Sequence, residues 1–111
     1  MNEQERQAID AIDMDGLLAY LDELVAIQSL DGHETAAQLC VADKLRDIGM
    51  AVDQWEIDFE QVRQHPAYCE EVIRTEGLGV VGSLGNGRGK TRIVIGHTDV
   101  VPAGDRANWL F

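Results

Sequence analysis

The sequence predicts an α/β fold, a mixed sheet covered by two N-terminal helices. Three observations point there. Two stretches in the first half repeat apolar residues at helical spacing, Leu17/Leu18/Leu21/Leu24/Val25 and Ala37/Cys40/Val41/Leu45/Ile48. The second half replaces that spacing with short β-branched runs, ending in Ile93-Val94-Ile95. Glycine-rich turns separate those runs, with Asn86-Gly87 as the strongest turn pair.

Residues 2–12 are polar with scattered apolar positions (Ala8, Ile9, Ile12), fitting a short helix or a loose arm equally well. Asp13 is placed to cap a helix running to about residue 28, whose leucine stripe is expected to cover the sheet. Ser29-Leu30-Asp31-Gly32-His33-Glu34 interrupts the periodicity. Asp31 and Glu34 have the spacing of a capping box, with His33 in the first turn near solvent. The second helix spans about 34–48 and closes at Gly49. Residues 50–59 alternate loosely (Val52, Trp55, Ile57, Phe59), as in a strand exposed on one face. Pro66 could open a short helix through Ile73, with His65 in the loop before it. Two strands follow, about 78–84 and 91–96, joined by the turn at 85–90.

Two nucleotide motifs fail on context. Gly77-Leu78-Gly79-Val80-Val81-Gly82 fits Gly-x-Gly-x-x-Gly, but strand residues and a turn follow where a helix must open. Gly85 to Thr91 suggests a phosphate loop, yet the required first glycine is Leu84, and Lys90-Thr91 leads into a strand.

Chemistry concentrates at the end of the last run, Ile93-Val94-Ile95-Gly96-His97-Thr98-Asp99-Val100-Val101-Pro102. Extended side chains alternate, so His97 and Asp99 share a face and Thr98 points away. A carboxylate beside an imidazole can take one ring N–H and leave the other nitrogen for a metal. The bland alternative is a histidine satisfied by its neighbour. Pro102 and Gly104 end the run, so the pair sits at a strand's C-terminal edge, where open α/β sheets bind ligands.

That strand with Gly-His-Thr-Asp-Val-Val-Pro, Gly104-Asp105 and Trp109 resembles the dinuclear-zinc metallopeptidase family of acetylornithine deacetylase, succinyl-diaminopimelate desuccinylase, aminoacylase and glutamate carboxypeptidase. The resemblance is strongest from Gly77 to Trp109. Ser29, Gly32 and Glu34 also match a Ser-x-x-Gly-x-Glu pattern of the family, read here as structural. The resemblance implies that His97 is a zinc ligand and that Asp99, counted as catalytic, orients it. It implies two zinc ions, with cobalt as a substitute, an N-acyl amino acid or small peptide as substrate, and a homodimeric parent. Family members are several times longer and carry their general base and remaining ligands after this strand. Residues 1–111 therefore read as the N-terminal part of one metallopeptidase catalytic domain, an incomplete zinc-peptidase domain. The alternative is a non-catalytic fragment or interaction module in which His97 and Asp99 are structural.

Composition narrows the partners. At 45% hydrophobic residues the 111-residue chain can build one small core. A net charge of −11 argues against nucleic acid and anionic membranes, which need clustered Lys and Arg. Cys40 and Cys69 form no Cys-x-x-Cys pair, and no disulfide is called for. The N-terminus lacks the basic and apolar regions of a signal peptide, so a cytoplasmic setting is expected.

Overall fold

The computed structural model describes residues 1–110; Phe111 lies outside them. The fold is α/β, with four helices and a two-stranded antiparallel sheet. Helix α1 (Glu3–Asp10) begins at a capping box: Asn2 accepts the Glu5 N–H at 2.9 Å and Glu5 accepts the Asn2 N–H at 2.7 Å. It packs on no other element described. Helix α2 (Met14–Ala26) starts at the expected cap, with Asp13 accepting the Gly16 N–H at 3.0 Å.

Helix α3 (Thr35–Asp47) carries the core. Ala37 and Ala42 are its buried apolar residues, and α3 alone packs across both strands. Its end is a Schellman closure. Gly49 takes φ +84° and donates to the Arg46 carbonyl at 2.9 Å, while Met50 donates to Leu45 at 3.0 Å. That closure brings Leu45 and Met50 together over Gly82, where a Cβ would stand only 3.0 and 2.8 Å from them. Strand β1 (Ala51–Glu56) therefore follows directly and pairs with β2 (Leu78–Ser83) from Ala51↔Ser83 to Glu56↔Leu78. Arg46 reaches from α3 to Gln54 on β1 at 2.9 Å.

Several expectations are corrected. Helix α2 does not cover the sheet. It packs on α3, with Lys44 5.3 Å over the Tyr20 ring, and its Leu17, Leu18, Leu21 and Val25 remain exposed. No helix opens at Pro66. Instead α4 (Phe59–Arg63) forms earlier, because Asp58 caps it through the Gln61 N–H at 3.0 Å. The chain beyond Pro66 is drawn back along α4, where Arg63 holds Glu70 at 2.9 Å and the Arg74 carbonyl at 2.8 Å.

The expected strand at 91–96 is absent, and the sheet is antiparallel rather than mixed. A tight Asn-Gly hairpin needs φ > 0 at both central residues. Asn86 does not adopt it; its side chain accepts the Arg88 N–H at 3.1 Å in an Asx turn. The segment is the expected exposed turn with no helix opening at Lys90, but it does not fold the next run back onto β2. Ile93, Val94 and Ile95 are consequently 81%, 95% and 89% exposed.

Candidate functional site

His97 and Asp99 lie in extended chain without a ladder partner, so the strand expected to carry them is replaced by a single attachment point. Val100 forms one parallel bridge with Leu30, and its N–H donates to the Ser29 carbonyl at 2.9 Å. Ser29 is buried at 3% exposure. Thr98 turns inward, its Oγ1 buried without a hydrogen-bond partner among the described residues, while His97 and Asp99 face outward together.

The His97 Nδ1 stands 3.2 Å from the Asp99 Oδ1 and 3.2 Å from the Asp99 backbone oxygen. The backbone oxygen is the hydrogen-bond partner and the carboxylate an ion-pair contact; the neutral tautomer that makes this bond carries its proton on Nδ1. The lone pair then sits on Nε2, on a ring that is 81% exposed. This is the arrangement a metal-ligating histidine needs, with one nitrogen fixed and the other open.

The ligand count is short. Among the described residues, no group of three or more His, Cys, Asp and Glu side chains is placed to hold a metal. A stable zinc site takes three or four protein ligands, so the pair fits as one arm of a zinc site and cannot form one alone. The other histidines stand apart from this arm. His33 is exposed in its turn, and His65 is exposed with Nδ1 accepting the Ala67 N–H at 3.2 Å. Asp105 caps the short 3₁₀ turn Arg106–Asn108.

The turn that receives Val100 carries an ion pair that no sequence pattern indicated. Glu34 does not complete a capping box with Asp31. Its Oε1 accepts the Gly32 N–H at 2.9 Å and the Arg74 guanidinium at 3.0 Å. Arg74 wins the carboxylate because a charge-assisted bond is stronger than a neutral cap. Gly32, at φ +86°, makes the reversal possible, and the turn closes with the His33 N–H on the Leu30 carbonyl at 2.8 Å. The Ser29/Gly32/Glu34 pattern thus has the structural role expected of it. Arg74 comes from the irregular tract after α4, where no periodicity marks it.

Burial opposes charge on Glu34, but the Gly32 N–H, its own N–H and Arg74 together outweigh it and hold the carboxyl below its ordinary value of 4.5. The Arg74 guanidinium is correspondingly raised, first by its bond to Glu34. A carboxyl lowered in the folded state gives stability that is complete above its unfolded pKa and fades as pH falls through the folded one. The side chains are 14% and 28% exposed, so we expect Glu34→Gln to cost about 1–2 kcal/mol at pH 7. That deficit should shrink below about pH 4, as the wild-type carboxyl protonates. Urea unfolding of both proteins from pH 3 to 7 measures it; a deficit independent of pH would remove the ion pair as its cause.

The thiols are both free, with Cys40 half-buried and Cys69 exposed. Burial, then Glu23 and Asp43, push the Cys40 thiol up, which suits an inert packing residue. No helix among the described residues is long and apolar enough to cross a membrane. No family model matches the chain, and no solved structure matches it either.

Proposed function

We propose that the chain is the first metal-site segment of a metal-dependent hydrolase cleaving the amide bond of an N-acyl amino acid or small peptide. His97 contributes Nε2 to one of two zinc ions, and Asp99 fixes the ring from the other side. The observation that carries this is the engagement of Nδ1 by Asp99, through its backbone oxygen and beside its carboxylate, on a side chain that is 81% exposed. The Gly-His-Thr-Asp-Val-Val-Pro context supports it, as does the exposed Ile93–Ile95 run, whose β-branched residues suit a sheet interior. Zinc, when bound, supplies Lewis acidity toward the amide carbonyl and a water that ionises near neutral pH. The described residues hold and orient one ligand; the water-activating carboxylate is not among them.

A second reading has its own observation. The pair is strongly exposed and its contacts, at 3.2 Å, are long for charge-assisted bonds, as in a surface pair of an interaction module. Metal content after dialysis, with hydrolysis of N-acyl amino acids measured with and without chelator, separates the two. The full-length protein should retain zinc and hydrolyse such a substrate, lose activity to chelator and regain it with zinc. The 111 residues alone should bind zinc weakly and hydrolyse nothing. A full-length protein that retains no metal, or works equally well in chelator, would sink the hydrolase reading.

A further inference from the structure

Three segments distant in sequence meet beside His97. The turn from Ser29 to His33 presents the Ser29 carbonyl to Val100. The tract Val72–Arg74 packs behind that turn, with the Ile73 carbonyl 3.5 Å and the Val72 side chain 3.7 Å from where a Gly32 Cβ would be. A single oxygen, Glu34 Oε1, binds both the turn, through Gly32, and the tract, through Arg74. The third segment is the His97–Val100 run. The Val100 to Ser29 hydrogen bond, with the Leu30–Val100 bridge it belongs to, ties this run to the rest of the protein.

We infer that Glu34 and Arg74 are positioning residues for the His97–Asp99 pair: their ion pair locks the Ser29–His33 turn, and the locked turn is the template that fixes Thr98–Val100. The two groups are well placed for it. They are mostly sheltered from water, so their attraction is weakly screened. The Asp31 and Asp99 carboxylates also act on the Arg74 guanidinium through their charge, after Glu34. Only the consequence for metal affinity rests on the zinc reading; the geometric coupling stands without it.

The test is nuclear magnetic resonance on the full chain, reading Val100 amide exchange and the His97 ring nitrogen shifts. Arg74→Gln cuts the tether. Glu34→Gln weakens it while keeping an oxygen for the Gly32 N–H. Loss of a charged partner should speed Val100 exchange about tenfold in Arg74→Gln and about threefold in Glu34→Gln. The His97 shifts should move toward those of a free, mixed-tautomer imidazole. A merely structural role would lower the melting temperature and leave the ring shifts of the folded protein in place, which would overturn the inference. If Arg74→Gln does not fold, Glu34→Gln decides: unchanged Val100 exchange and unchanged His97 shifts in that folded variant overturn it equally. Failure of the zinc reading shows separately, as metal retained after His97→Ala with this coupling intact.

Discussion

If the proposed zinc role of His97 holds, His97→Ala in the full-length protein is expected to lose zinc and amide hydrolysis together, by more than about 100-fold each, because it would remove a ligand rather than a ligand's support. Asp99→Ala should behave differently. Partners that orient a metal-bound histidine are worth about 10–100-fold in affinity or rate. Here the Asp99 backbone oxygen is the hydrogen-bond partner of Nδ1, at 3.2 Å, and survives the substitution, while the carboxylate adds an ion-pair contact at 3.2 Å that is lost. The ring keeps its hydrogen bond, so the loss should fall near about tenfold, the bottom of that range. Asp99→Asn retains a side-chain oxygen without the charge and should fall between wild type and Asp99→Ala. Zinc affinity by competition with a chromogenic chelator, and initial rates on an N-acyl amino acid, give the order. If His97→Ala keeps its metal and its rate, or Asp99→Ala costs more than His97→Ala, the assigned roles are wrong.

That graded expectation could not be reached from the sequence. The alternation of an extended chain was enough to put His97 and Asp99 on one side and Thr98 on the other. It could not show that the backbone oxygen of Asp99 is the ring's hydrogen-bond partner, because that depends on the chain path beside the distant Ser29–Val100 contact. The helices were legible to the extent that their signals are local. Asp13 and Gly49 each act within a turn and have the effect expected of them, whereas of the α3 stripe only Ala37 is buried, Cys40, Val41 and Leu45 are half-buried, Ile48 is exposed, and the buried Ala42 lies outside it. What a stripe packs against is not local, which is why the leucines of α2 are exposed although their spacing is sound. The run at 91–96 has strand composition, but a strand exists only with a partner, and the wide turn at 85–90 directs it away from β2. Glu34 with Arg74 was hidden for a similar reason. The two are forty positions apart, and a carboxylate that looked like a cap was drawn to a distant cation.

Ala42→Asp should abolish cooperative folding. Ala42 is fully buried, at 0% exposure, on the one helix that packs across both strands; Ala37, at 1%, is the other buried apolar residue of the core. A carboxylate there has no cation assigned to it and no water, and an uncompensated buried charge costs about 3–5 kcal/mol. Small domains have total stabilities near the lower end of about 5–15 kcal/mol. This one leaves most of its large apolar side chains at least partly in water, so its reserve is slight. The matched control is Ala36→Asp on the same helix. Ala36 is exposed and lies in the first turn of α3, where an acid is favoured by the helix dipole, so the change should stay within about 0.5 kcal/mol. Circular dichroism at 222 nm through a urea titration compares them. Ala36→Asp should keep the wild-type midpoint, and Ala42→Asp should show a non-cooperative slope or none. A sigmoidal transition for Ala42→Asp at the wild-type midpoint would mean that α3 does not hold the sheet, and the bridge that fixes His97 would need another support.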